Sequence, residues 1–248
     1  MTLVADAKLA LSLMDLTSLN DNDDEHSITA LIDSIDPEVG LPAAICVYPQ
    51  FVGLVKAQLQ QKGWSTIKVA TVANFPSGAE PLAQVLAHTE QAIAAGADEI
   101  DLVLPYQQFI AGDPDTPWQY VHSSKACCNG RAKLKVIIES GVLGKSKTIE
   151  EATTLAIVAG ADFVKTSTGK VATNATPEAA SAMLKAIKAS GKPVGFKASG
   201  GVKSVAQAQT YLQLAADIMG PQWLTPANFR FGASSLLQDI TAVVNAKV

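Results

Sequence analysis

The chain has 248 residues, 48% of them hydrophobic and 17% charged, with 17 glycines and 12 prolines. That composition excludes a disordered, collagenous or coiled-coil protein, and at this length a core needs no disulfide or metal to hold it. A formal charge of −4 leaves no net positive field to gather nucleic acid or anionic lipid, so neither is expected as a partner.

The N-terminal stretch MTLVADAKLALSLMDL carries Asp6 and Lys8 and lacks a basic leader and a cleavage pattern, so it predicts a helical extension and not a secretory signal. Short β-rich runs then recur: MDLTSL around Asp15, AAICVY around Cys46, TIKVATV around Val69, DEIDLVL around Asp101, LKVIIES around Val136, DFVKTS around Val164, PVGFKAS around Phe196 and FRFGAS around Phe231. Their spacing of roughly 30 residues suits one strand, one crossover helix and two loops. Between them, residues 81–95 put Leu82, Val85, Leu86, Thr89 and Ile93 on one face, with Pro81 at the start and Gly96 past the end. Residues 177–190 repeat the design from Pro177 to Gly191. Eight such units without a composition break predict a single (β/α)8 barrel over residues 1–248. A doubly wound sheet would carry a glycine-rich fingerprint after its first strand, and GVLGKS fails as a phosphate-binding P-loop because Glu139 stands where glycine is needed.

Cys46, Cys127 and Cys128 are odd in number and lack C-x-x-C spacing, which favours a reducing, cytoplasmic setting. No apolar run is long enough for a membrane helix. His26, His88 and His122 are scattered over predicted helices, so no metal site is expected, and Trp64, Trp118 and Trp223 form no stripe for stacking bases.

In a barrel, polar groups at the C-terminal ends of strands face the catalytic mouth, and Asp15, Asp101, Glu139, Lys165 and Lys197 are read there. Either lysine alone could simply snorkel to the rim. Two lysines with Asp101 instead suggest amine catalysis. A free lysine with a pKa of about 10.4 is nearly all ammonium at pH 7, and a second ammonium plus burial lowers that pKa. A nearby carboxylate then moves the protons of carbinolamine chemistry. Gly200-Gly201 after the seventh strand, and Gly232-Ala233-Ser234-Ser235 opening a helix after the eighth, occupy the loops where barrels hold a substrate phosphate. Each alone reads as plain turn and cap chemistry; together, with Lys170 of TSTGK nearby, they point to an anion.

With DEIDLVLP, KVIIESG, ADFVKTSTGK, GFKASGG and FRFGASSLL in that order, the chain resembles the deoxyribose-phosphate aldolases, lyases of the Schiff-base class, from MDLTSLND to GASSLL. The resemblance implies cleavage of 2-deoxy-D-ribose 5-phosphate to glyceraldehyde 3-phosphate and acetaldehyde, without a cofactor, by a homodimer. It assigns the Schiff base to Lys165, proton transfer to Asp101 and the perturbing charge to Lys197. Phosphate binding would fall to Thr168, Lys170, Gly200, Gly201, Gly232, Ser234 and Ser235, while Asp15, Thr17, Cys46 and Lys135 would line the pocket. Some members read K-P-A-G-G where this chain has Lys197-Ala198-Ser199-Gly200-Gly201. Others end in a tyrosine-tipped tail, whereas this sequence closes on Asn245-Ala246-Lys247-Val248, so Asp101 and water are expected to carry the enamine proton alone. Another lysine-dependent aldolase, a transaldolase and a non-catalytic sugar-phosphate sensor stay open as alternatives.

Overall fold

The computed structural model describes residues 2–246; Met1, Lys247 and Val248, the last two belonging to the C-terminal segment discussed above, lie outside it. Its eight strands are β1 (Met14–Thr17), β2 (Ala44–Val47), β3 (Lys68–Ala73), β4 (Glu99–Val103), β5 (Lys133–Ile137), β6 (Phe163–Lys165), β7 (Gly195–Ser199) and β8 (Phe229–Ala233). All pair in parallel in chain order, and β8 closes on β1 with Met14 opposite Phe231, giving a (β/α)8 barrel.

Local chemistry explains the helix ends. The helix Pro177–Ser190 starts where Thr176 Oγ1 accepts from the Ala179 N–H at 3.1 Å, and stops at Gly191 with φ 63°. It buries Ala180, Met183, Leu184 and Ile187. The helix Leu82–Ala94 is one residue shorter at each end than its sequence pattern, because Pro81 takes the capping position with an extended ψ of 137°. Its buried line runs through Val85, Thr89 and Ala92, leaving Leu82, Leu86 and Ile93 half-buried at its edges. The extension preceding the barrel is the helix Leu3–Ser12, which buries Ala7, Ala10 and Leu11.

Strand alternation divides the interior into two regions. Outward-facing Leu16, Ile45, Val69, Ile100, Val136, Val164 and Phe231 join the helices in one continuous apolar layer around the barrel. The inward set is different in kind: it carries Asp15, Glu99, Asp101, Lys135, Lys165, Lys197 and Arg230, all buried. Phe163 fills the barrel beside Arg230, whose guanidinium lies 5.6 Å from the ring centroid, and Gly195 on the next strand makes room for it. A Cβ at Gly195 would sit 2.3 Å from Phe163 Cε1. Among the described residues no helix is long and apolar enough to cross a membrane.

Gly195→Ala is therefore expected to destabilise the fold by about 1–3 kcal/mol in urea denaturation, as overpacking does. In a Phe163→Val background the same substitution should cost much less; an equal cost in both backgrounds would place the strain elsewhere.

Candidate active site

Residues two apart on a strand share a face, so Glu99 and Asp101 of β4 both enter the barrel, as do Lys135 of β5 and Lys197 of β7. Asp101 is the hub. Its Oδ1 accepts from Lys135 Nζ at 2.8 Å, and its Oδ2 accepts from Lys165 Nζ and Lys197 Nζ, both at 2.8 Å. Asp15 accepts from Lys197 Nζ through Oδ2 and from Arg230 Nη1 through Oδ1 at 2.6 Å. Glu99 is held by Arg230 Nη2 at 2.9 Å and by Lys135 Nζ at 2.6 Å. None of these side chains is more than 5% exposed. The lysines therefore do not snorkel. Their depth also corrects the placement of Asp15, Asp101 and Lys197 at strand ends: all three lie inside their strands, and only Lys165 ends one.

Burial pushes the Lys165 ammonium pKa down; the Asp101 carboxylate opposes this, the Lys197 charge reinforces it, and the net shift is downward. Burial acts in the same sense on Lys197 and Lys135, but their carboxylate partners outweigh it and raise both. Burial alone would raise the carboxyls of Asp101 and Asp15, yet the surrounding cations hold both below the ordinary carboxylate range. Of the three lysines, Lys165 is thus the one driven toward the neutral amine. Cys46, at the inner face of β2, is buried, and burial followed by the nearby Asp101 charge pushes its thiol pKa up. It packs with Leu19, Ala70 and Val72 on the inner side of the barrel.

Above this cluster lies a cavity of about 240 Å³ at the C-terminal end of the barrel. Thr17, Thr168, Lys170, Gly200, Gly201, Gly232, Ser234 and Ser235 all line it. Ser235 precedes the helix Leu236–Asn245 without a side-chain cap, and the N-terminus of that helix is directed to the same place. Lys170 Nζ lies 3.2 Å from Asp21 Oδ1 at the rim. Gly232 has a second role, because a Cβ there would meet Ser199 Oγ at 2.6 Å and Lys197 Cε at 3.0 Å. Lys135 and Asp15, expected as pocket lining, lie instead in the ion cluster beneath. The barrel's inward faces reach deeper than its mouth, and charge pairing draws both side chains down.

Glu139 stands two residues beyond β5 in a left-handed conformation, φ 54°. Its carboxylate accepts from Thr168 Oγ1 at 2.6 Å and from the Thr168 N–H at 3.3 Å, fastening the TSTGK loop. Glu99, Arg230 and Lys203 escaped the sequence reading. The first two had a signal, each being a charge two residues before a singled-out inward position, Asp101 and Gly232; exposed Lys203, a second cation at the cavity, had none. His26, His88 and His122 fall on three separate helices, and among the described residues no group of His, Cys, Asp and Glu is arranged to hold a metal.

The fold and sequence have known counterparts over nearly the whole chain. A candidate deoxyribose-phosphate aldolase of Toxoplasma gondii ME49, in its apo form, is 25% identical over 98% of each chain with a TM-score of 0.89. A candidate deoxyribose-phosphate aldolase of Coccidioides immitis is 25% identical over 96% of this chain and 86% of its own, with a TM-score of 0.80. The deoxyribose phosphate aldolase of Aeropyrum pernix, described as a unique tetramer, shares the fold at 22% identity and a TM-score of 0.77, over 99% of this chain and 98% of its own. The family profile described as DeoC/LacD family aldolase matches residues 9–241. That match takes in all eight strands of the barrel, and the chain belongs to the DeoC/LacD family of aldolases.

Proposed function

We propose that this aldolase cleaves 2-deoxy-D-ribose 5-phosphate to glyceraldehyde 3-phosphate and acetaldehyde through an imine on Lys165. The observation that carries the reading is the position of Lys165: it ends β6 as the buried amine with the lowered pKa, and its own segment runs on into Thr168 and Lys170 at the cavity. An amine tethered to an anion-sized pocket by one loop suits an aldehyde that carries a phosphate at its far end.

Neutral Lys165 Nζ attacks the C1 aldehyde of the open-chain sugar, and the carbinolamine loses water to give an iminium. The C3 hydroxyl gives its proton to Asp101 through water, the C2–C3 bond breaks into the iminium, and C3 leaves as the aldehyde of glyceraldehyde 3-phosphate. The enamine takes a proton at C2, and hydrolysis frees acetaldehyde and Lys165. Asp101, bonded to both Lys165 and Lys197 through one oxygen, passes protons between Nζ and water. Lys197 keeps its proton throughout and disfavours a second charge on Lys165. The phosphate rests against Gly200, Gly201, Gly232, Ser234 and Ser235, with Lys170 at the rim.

Borohydride reduction in the presence of acetaldehyde should add an ethyl group, about 28 Da, to Lys165. Label on Lys197 would reassign the nucleophile, and no label on either would favour a sugar-phosphate sensor. Asp101→Asn should lose at least about 100-fold in turnover while binding inorganic phosphate as before; normal turnover would remove Asp101 from the proton path.

The anion site is tested by Ser235→Asp, which removes no capping hydrogen bond, because the Ser235 side chain makes none, and places a carboxylate at the cavity. It should raise KM for 2-deoxyribose 5-phosphate about tenfold or more, with little change for unphosphorylated 2-deoxyribose. Equal loss on both substrates would separate this cavity from phosphate recognition. Lys197→Leu should move the rising limb of the pH–rate profile to higher pH, because Lys165 then keeps its proton longer as pH increases.

A further inference from the structure

The ion cluster holds three carboxylates, Asp15, Glu99 and Asp101, and four basic groups, Lys135, Lys165, Lys197 and Arg230. Fully ionised, it carries one uncompensated positive charge out of reach of water. A buried net charge is costly, and release of one proton removes it. Arginine cannot be the group that releases it. Among the lysines, Lys135 Nζ lies within 4 Å of three carboxylates, Glu99 at 2.6 Å, Asp101 at 2.8 Å and Asp15 at 3.4 Å. Lys197 touches Asp15 and Asp101, whereas Lys165 touches Asp101 alone. The least-compensated cation is the one that becomes an amine.

We propose that Glu99 and Arg230, which face no substrate, are positioning residues that hold the cluster at zero net charge when Lys165 alone is neutral, and so select it as the nucleophile. The inference rests on Lys165 being the imine-forming lysine. Both residues lie toward the N-terminal end of the barrel, Glu99 two residues before Asp101 and Arg230 two before Gly232, and neither lines the cavity. Arg230 is fixed there by Glu99, by Asp15 and by its Nε, which donates to Pro226 O at 2.6 Å. It thus contributes a permanent positive charge, and Glu99 the negative charge that balances it.

The remaining groups around Lys165 add no further ion pair to the cluster among the described residues. Asp15 comes from β1 and the protonated thiol of Cys46 from β2; Ala70 and Val72 of β3 bring no titratable group. β4 supplies Glu99 and Asp101, β5 Lys135, β7 Lys197 and β8 Arg230. Glu139, beyond β5, also feels the Lys165 charge, but it makes no ion pair with the cluster among the described residues and directs its carboxylate to Thr168. The downward shift at Lys165 beside upward shifts at Lys135, Lys197 and Arg230 agrees with this division.

The test uses the full chain and four variants: Arg230→Met, Arg230→Lys, Glu99→Gln and the double variant Glu99→Gln/Arg230→Met. Carbamoylation of Lys165 by cyanate, normalised to the N-terminal amine and read by peptide mass spectrometry across pH, reports its proton without any substrate. Arg230→Met should raise the half-labelling pH by about one unit, the size expected for loss of one nearby buried charge. That corresponds to about a tenfold drop in borohydride-trappable imine at pH 7. Glu99→Gln should lower the half-labelling pH, the double variant should return it close to the parent, and Arg230→Lys should leave it unchanged. Shifts of the same sign in Glu99→Gln and Arg230→Met, or an Arg230→Lys shift as large as that of Arg230→Met, would show that packing and not charge is at work and overturn the proposal. If Arg230→Met does not fold, Glu99→Gln and the double variant decide: a Glu99→Gln titration that is unmoved or raised refutes the proposal. Failure of acetaldehyde trapping at Lys165 in the parent chain would instead strike the aldolase reading and leave the cyanate titration standing.

Discussion

Ionised groups can be taken out of water only in company, and that constraint organises the interior of this barrel. Asp101 alone accepts from three ammonium groups, and each of its partners but Lys165 is tied to at least one more carboxylate. The barrel wall is built around this arrangement. Gly232 leaves the space that the stem of Lys197 occupies, and Gly195 leaves the space for Phe163 below. Barrels of this class ordinarily fill the same positions with branched aliphatic side chains. Here the outer layer, where Leu16, Ile100, Val136 and Phe231 meet the helices, is wholly apolar, while the inner layer gives most of its β4, β5, β7 and β8 positions to charge and keeps apolar packing to Phe163 and to Cys46, Ala70 and Val72.

Much of this is legible in the sequence, for physical reasons that differ from element to element. The helix Pro177–Ser190 is marked at both ends by residues whose backbone preferences match the local geometry, so its limits follow from proline and glycine alone. Lys165 and Lys197 stand out because an apolar strand has no cheap place for an ammonium. Depth is harder to read. A charged residue on a strand looks the same in sequence whether it sits at the rim or two residues further in, so Asp15 and Asp101 read as mouth residues although they lie inside their strands. Glu99 and Arg230 show the same limit more sharply, since pairing partners on β4 and β8 are far apart in the chain and close only when the barrel shuts.

The two ends of the site are mechanically linked. The strand that delivers Lys165 continues directly into the loop that reaches the cavity, and Glu139 fixes that loop by gripping Thr168 at its backbone and hydroxyl together. Thr168 in turn accepts the Lys170 N–H at 3.1 Å. The separation between Lys165 and the cavity is therefore set by a short, doubly anchored length of backbone.

Phe163 gives the site a direction. It is fully buried, with Arg230 lying against its ring and Lys133 Nζ 5.7 Å from the ring centroid, so it stoppers the barrel at the end opposite the cavity. The charged interior is then closed by an aromatic ring at one end and faces the cavity at the other. With one end closed by Phe163, the side of the cluster that Lys165 ends is the side turned toward Thr168, Lys170 and the cavity.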